Sequence, residues 1–264
     1  MSLNSLDKKS KIFFPYKNAE IYYSLYEKYG FFILKNCFTK IIIKKIINEI
    51  KKAKGTNKYL DQNNLPRRIE KIYNKGVYLR YTNEVLLKIL KEIFSEKFTI
   101  FKDKYNSKPP GGEGFFAHYD GIFQFKNKNN KLENGWYKYG NEFVNILVAL
   151  DPCNKKNGTI EISKAHKNNF LFLLNKTKKD GTPNLESQKK LRYASISLNL
   201  GDLLIFKNTC PHRSKKNNSS KDRRTLYYTY TPLKYGSKYK EYFDDKEGSR
   251  NKTSKSLSAK TWDL

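Results

Sequence analysis

Residues 201–214 read GDLLIFKNTCPHRS. A Gly-Asp turn launches four apolar residues, Leu203, Leu204, Ile205 and Phe206, and the run breaks into Asn208 and Pro211 before a lone His212. A short apolar run bounded by turn formers predicts a strand over 203–207. Working outward from it, six more segments after residue 97 have the same texture: 98–108, 114–125, 142–151, 159–163, 195–199 and 223–232. Short strands with turn signals between them predict a mainly β core with flanking helices, built as a sandwich or barrel.

The flanks read differently. Residues 1–97 predict a mixed, mainly helical region. It holds a helix over 18–29 ending at Gly30, a short strand over 31–36, and a helix over 40–54 capped by Thr39 and stopped by Gly55. Ile43, Ile46, Ile47 and Ile50 recur at helical spacing in that second helix. Asn83 is the expected cap of a third helix over 84–95, with Val85, Ile89 and Ile93 on one face. Residues 164–194 form a longer, partly helical excursion of the length functional lids have. From 236 onward the chain becomes a polar, Lys- and Ser-rich tail. The expected organisation is one domain over 1–264: an N-terminal part to 97, a core over 98–235 and the tail. No internal repeat is present.

Composition narrows the class. At 38% hydrophobic and 15% aromatic residues, the chain can bury a sizeable core and does not read as disordered. The net charge of +28 admits an anionic partner, yet lysine is spread along the whole chain rather than gathered into a footprint. That spread disfavours nucleic acid as the partner, while a positive field still attracts small anionic substrates. Cys37, Cys153 and Cys210 are odd in number and form no CxxC, which argues against a disulfide framework or zinc knuckle and suits a reducing, cytoplasmic setting. The opening MSLNSLDKKSKIFF lacks the form of a signal peptide. The apolar stretch 31–50 is broken by Lys35, Lys40, Lys44 and Lys45, so no membrane span is expected.

Three histidines occur: His118, His166 and His212. In FFAHYDG, residues 115–121, His118 and Asp120 are two apart, and in a strand positions i and i+2 share a face. An imidazole and a carboxylate projecting together make two ligands of a 2-His-1-carboxylate triad, the set that holds Fe(II) with open positions. His212 is the expected third ligand. Arg223, 11 residues further on, opens the strand RRTLYYTYTP, where its guanidinium would grip the distal carboxylate of 2-oxoglutarate. Thr225 shares that face and would add a hydroxyl, while Arg224 points the other way. Lys108 reads two ways, as a contact to the same carboxylate or as a strand-end lysine in solvent. Asn145, polar at the start of an apolar strand, is placed facing the cavity beside 2-oxoglutarate. Cys210 reads as packing and Gly158 as a turn.

These pieces, taken in order, resemble the phytanoyl-CoA dioxygenase family of Fe(II)- and 2-oxoglutarate-dependent oxygenases. The resemblance runs through FKDKYNSKPPGGEGFFAHYD, NILVALDPCNKKNGTIEISKAHK and LNLGDLLIFKNTCPHRSKKNNSSKDRRTLYYTY. It implies a double-stranded β-helix (a jelly-roll, cupin-like core) with extra N-terminal helices. It also implies iron on His118, Asp120 and His212, with 2-oxoglutarate anchored by Arg223 and O2 as co-substrate. Lys164-Ala165-His166 replaces the Gly-Ser-His usual in the family, and Tyr119 stands where a polar residue is frequent. Asp120 argues for hydroxylation, since related halogenases lack the carboxylate ligand. The closest likeness is to members acting on 2-aminoethylphosphonate and other small polar metabolites, whose anionic end Arg67, Arg68 and Arg80 are candidates to receive. An acyl-CoA or lipid substrate, or a non-catalytic basic protein that binds nucleic acid, is the alternative. The sequence specifies no oligomeric state.

Overall fold

In the computed structural model, which describes residues 18–60, 66–127, 129–166, 170–178 and 181–250, helices and short strands lead into a β core. The order begins α1 (Ala19–Tyr29), β1 (Phe31–Leu34), α2 (Lys40–Lys52), β2 (Asn57–Leu60), β3 (Pro66–Glu70), α3 (Val77–Phe94), β4 (Phe98–Lys108) and β5 (Phe115–His118). It continues through β6 (Phe125–Lys126), β7 (Leu132–Glu133), β8 (Val144–Ala149), β9 (Ile160–Ile162), α4 (Phe170–Asn175) and α5 (Leu185–Lys190). The last elements are β10 (Ala194–Ser195), β11 (Leu203–Lys207), β12 (His212–Ser214), β13 (Arg223–Pro232) and α6 (Tyr239–Arg250). The N-terminal segment read for a signal peptide and the last 14 residues, 251–264, lie outside the described residues. No helix among the described residues is long and apolar enough to cross a membrane.

A seven-stranded sheet, β1-β11-β8-β13-β4-β3-β2, faces a four-stranded sheet, β10-β9-β12-β5, and a two-stranded β6-β7 ribbon lies apart. Neighbouring strands in both sheets run antiparallel. This is the expected jelly-roll. Side-chain alternation sorts the large sheet's residues into two cores. Ile146, Val148, Leu203, Ile205, Leu226 and Tyr228 pack outward against the helices, where Ile43, Ile46, Leu86 and Leu90 meet them. Leu147, Ala149, Leu204 and Phe206 point inward to Ile160, Ile162, Ile196 and Leu198 of the small-sheet side. Both faces are covered, so β11 reads as an unbroken apolar run rather than an alternating one.

Thr39 caps α2, its hydroxyl accepting from the Ile42 amide at 3.4 Å, and the expected isoleucine stripe is buried. The helix ends at Ala53, ahead of Gly55. α3 starts at Val77, well before the Asn83 expected to cap it. Its cap comes from another helix. Glu49 of α2 accepts from the Tyr78 amide at 3.1 Å and the Leu79 amide at 2.9 Å, placing a carboxylate on the positive end of α3. Asn83 sits inside the helix and accepts from the Tyr230 hydroxyl at 2.9 Å. β2 and β3, mostly polar in sequence, extend the large sheet beyond β4.

The C-terminal stretch is also more than a tail. α6 buries Tyr242 and Phe243 against Phe101, Trp136 and Phe143. Its Lys246 reaches both Glu70 oxygens of β3, at 2.7 and 2.8 Å, with each residue only 3% exposed. Removing one partner leaves an uncompensated buried charge. Lys246→Met is therefore expected to destabilise the protein by about 3 kcal/mol, read as a lower urea midpoint at unchanged slope. An unchanged midpoint would show that α6 is not docked.

Candidate metal centre and anion cradle

Cross-strand register brings the expected ligands together. His118 closes β5, His212 opens β12, and the two are direct partners across the small sheet, with ring centroids 4.2 Å apart. Asp120 follows β5 on the His118 side. Its carboxylate lies 3.9 Å from His118 Nε2 and 3.7 Å from His212 Nε2. The candidate ligand atoms all lie within 4.8 Å of one another, spacing at which one ion with bonds of about 2.1 Å can draw in all three.

The imidazoles are set for this. His118 Nδ1 lies 2.8 Å from the Phe116 carbonyl, and His212 Nδ1 lies 3.0 Å from the Cys210 carbonyl. A carbonyl only accepts, so each Nδ1 carries the proton and each Nε2 offers its lone pair toward Asp120. Burial, reinforced by His212, pushes the His118 pKa down to about 3; burial likewise lowers His212, with Asp120 opposing. Both rings are neutral near pH 7, the form that binds metal. For Asp120, burial acts to raise the pKa, but His212, Lys104, Lys102 and His118 outweigh it and hold the carboxyl ionised.

Asp120 is braced by two asparagines. Asn145 of β8 donates to Oδ2 at 2.9 Å and accepts in turn from the Thr229 hydroxyl at 2.7 Å. Asn208 accepts from the Asp120 amide through its carbonyl at 3.1 Å and donates from Nδ2 to the Asp120 carbonyl at 3.2 Å. Asn145 thus supports the carboxylate, a different role from the expected one beside 2-oxoglutarate. His166 stands outside the ligand set, edge-on to Tyr119 at 5.7 Å.

A second feature faces the same interior. Arg223 opens β13 opposite Lys108, the last residue of β4, and both are buried, at 3% and 1% exposure. Arg223 donates to the Thr225 hydroxyl at 3.2 Å and to the Gly158 carbonyl at 3.2 Å, while its Nε is buried with no partner. Lys108 donates to Ser214 Oγ at 2.8 Å and to the Gly158 and Lys215 carbonyls at 3.1 and 2.5 Å. Neither side chain has a carboxylate partner among the described residues, so a buried guanidinium and a buried amine stand side by side without a counter-anion. A carboxylate from a small molecule fits that cradle. Lys108 is not in solvent, which removes the second of its two expected readings. Gly158, expected as a turn only, does both: its φ of +67° makes the turn, and its carbonyl ties both cations.

Burial, then repulsion from Arg223 and Arg67, lowers the Lys108 pKa to about 6. At pH 7.5 its amine is mostly neutral until an anion arrives and favours the charged form. Binding of a dicarboxylate there is expected to take up close to one proton. Calorimetry in two buffers of different ionisation enthalpy measures this, and uptake near zero would place the anion elsewhere.

Arg224 points away, as expected, and forms a two-pronged pair with Asp151, both N–O distances 2.7 Å. Arg80 is exposed and bonds the Asn74 carbonyl. Arg67 stacks on Phe115 and donates to the Glu113 carbonyl, and Arg68 lies 3.8 Å from Glu70. All three cysteines are free and buried.

The phytanoyl-CoA dioxygenase family model matches residues 26–225. The chain belongs to the phytanoyl-CoA dioxygenase family. Among curated relatives, this family member is 29% identical over 178 residues to the 2-aminoethylphosphonate dioxygenase of uncultured bacterium HF130_AEPn_1, covering 66% of this chain and 61% of that one. It is also 29% identical over 158 residues to the methylphosphonate hydroxylase of Gimesia maris, covering 60% and 54%. The chain therefore spans somewhat more than half the length of each. Among solved structures, the epimerase SnoN, in complex with Fe3+, alpha ketoglutarate and nogalamycin RO, aligns with a TM-score of 0.63 at 11% identity, covering 82% of this chain and 84% of that one. The likeness confirms the jelly-roll.

Proposed function

We propose that the protein is an Fe(II)- and 2-oxoglutarate-dependent dioxygenase that hydroxylates a small anionic metabolite of the phosphonate class. The observation that carries the reading is the pairing of two features in one interior: a His-Asp-His triad with both Nε2 lone pairs turned inward, and a buried Arg-Lys pair lacking a counter-anion. His118, Asp120 and His212 would hold the iron, leaving positions open for 2-oxoglutarate, O2 or both. Bound iron supplies the oxidising power for inserting oxygen into a C–H bond.

The chain's own residues do the rest. Arg223 and Lys108 receive the far carboxylate of 2-oxoglutarate, and Thr225 and Gly158 fix the guanidinium that grips it. Asn145 and Thr229 hold the Asp120 carboxylate at one angle, so it binds through a defined oxygen. Leu147, Ala149, Leu204 and Phe206 line the space between the sheets with apolar surface and limit water there. The names of the two phosphonate-acting relatives support the substrate class.

The test is anaerobic addition of Fe(II) and 2-oxoglutarate to the purified protein. A weak visible charge-transfer band is expected, and then, in air, succinate release stimulated by 2-aminoethylphosphonate or methylphosphonate. No band sinks the oxygenase reading. A band with succinate release stimulated only by acyl-CoA compounds keeps the oxygenase and rejects the phosphonate class.

A further inference from the structure

The inward face of the large sheet carries four cross-strand rows. Asn145, Thr229 and Lys102 align across β8, β13 and β4, then Leu147, Tyr227 and Lys104, then Ala149, Thr225 and Asn106, and finally Arg223 with Lys108. The last row is the cradle already described. The first two carry a pair of lysines, Lys102 and Lys104, at the end of the face nearest Asp120. Lys102 shares its row with Thr229 and Asn145, which bond one another and Asp120. Along a strand Lys104 and Lys108 are about 13 Å apart at the backbone, too far for one small anion to sit on both pairs.

Lys102 and Lys104 are unusual for lysines. Each lies on the inward face of its strand and is only half-buried. Each rests on an aromatic face: Lys102 at 4.0 Å from the Trp136 ring and Lys104 at 4.9 Å from the Tyr227 ring. Neither has a carboxylate within ion-pair distance or a hydrogen-bond acceptor among the described residues. The nearby Glu70 is taken by Lys246 and Arg68. Burial, then Lys104, lowers the Lys102 pKa; burial pushes Lys104 down to about 8, with Asp120 opposing. Two ammonium groups held together without a counter-charge are costly, and a bound anion offsets that cost. With 2-oxoglutarate on Arg223 and Lys108, the other dicarboxylate end is committed to the metal, so this second pair is left for something else.

We propose that Lys102 and Lys104 form the subsite that holds the anionic head group of the substrate, a phosphonate, beside the metal. This deepens the dioxygenase reading and rests on it for the word substrate. Two ammonium groups on one face about 7 Å apart at the backbone can each donate to a different oxygen of a tetrahedral anion. They act as charges on flexible stems, each able to turn a donor toward a separate oxygen. Held there, the carbon next to phosphorus lies toward the triad.

The test measures binding, not turnover. Methylphosphonate and, separately, inorganic phosphate are titrated by calorimetry into anaerobic protein carrying Fe(II) and 2-oxoglutarate. The set is the parent, Lys102→Met, Lys104→Met, the double variant and Lys104→Arg. Methionine keeps the stem packed on its ring and deletes only the charge. Each single Met change is expected to raise the methylphosphonate Kd about tenfold or more, as losing a charge-assisted hydrogen bond does. The double variant is expected to lose detectable binding, Lys104→Arg to recover most of it, and the Kd for 2-oxoglutarate to move less than about twofold in all. The proposal is overturned if the parent forms the 2-oxoglutarate band yet binds neither probe. It also falls if the double variant binds methylphosphonate like the parent, or if 2-oxoglutarate affinity drops in parallel. If the band never forms, the oxygenase reading fails, and the same titrations on Fe(II)-loaded protein still decide whether these lysines bind a phosphonate or phosphate.

Discussion

His212→Ala is expected to weaken Fe(II) binding by more than about 100-fold and to abolish the charge-transfer band with 2-oxoglutarate. Losing a group that merely supports a ligand costs about 10- to 100-fold, and losing a ligand costs more. The effect is large because nothing nearby replaces the ring. His166 lies beyond Tyr119 and outside the ligand set, and Cys210 Sγ is turned to the Gly30 carbonyl at 3.3 Å. His166→Ala is the matched control and is expected to bind Fe(II) like the parent. Anaerobic titration followed by metal analysis reads both. Equal losses in the two variants would mean that general destabilisation, not ligation, is being measured. Thermal melting of the metal-free proteins separates these cases, since the His212 ring bonds the Cys210 carbonyl in its own strand's lead-in.

Arg223→Met is expected to raise the 2-oxoglutarate Kd by about 100-fold while leaving Fe(II) affinity unchanged. Truncating one partner of a buried, hydrogen-bonded charge pair costs about 2–5 kcal/mol, or roughly 30- to 5,000-fold. The lower part of that range applies because Arg223 also repels Lys108. Removing the guanidinium lets Lys108 hold its proton more firmly and keep part of the grip. Arg223→Lys is not expected to restore affinity, since the planar fork is lost along with its fixed bonds to Thr225 and Gly158. Spectroscopic titration with 2-oxoglutarate checks this. Unchanged affinity in Arg223→Met would place the distal carboxylate away from the cradle.

Much of the core was legible because burial imposes short-range patterns. The strands 98–108, 203–207 and 223–232 fall where apolar and aromatic runs meet turn formers. α2 follows from Thr39 and the isoleucine stripe, since both the cap and the period are local. Where the sequence misled, the deciding contact was remote. α3 begins early because Glu49, on another helix, caps it. β2 and β3 are polar strands whose reason to exist is the edge of β4 beside them. α6 reads as a tail because its few apolar residues, Tyr239, Tyr242 and Phe243, pack with Phe101 and Trp136, more than 100 residues upstream. Lys102 and Lys104 do not stand out in a lysine-rich chain. Their signal was parity: with Lys108 they occupy alternate positions of one strand and so share its inward face.

The sequence by itself determined the family, the jelly-roll and the three residues able to hold a metal. Chemistry of that kind needs particular side chains at particular spacings, and spacing is written in the chain. Tertiary structure alone decided that His118 and His212 are paired across two strands, that Lys108 is buried beside Arg223, and that Asn145 serves Asp120. It also decided that Lys102 and Lys104 share the inward face of the large sheet with Lys108 and Arg223. Those outcomes depend on strand register and on which charges lose water when two sheets close, and neither quantity is a property of neighbouring residues.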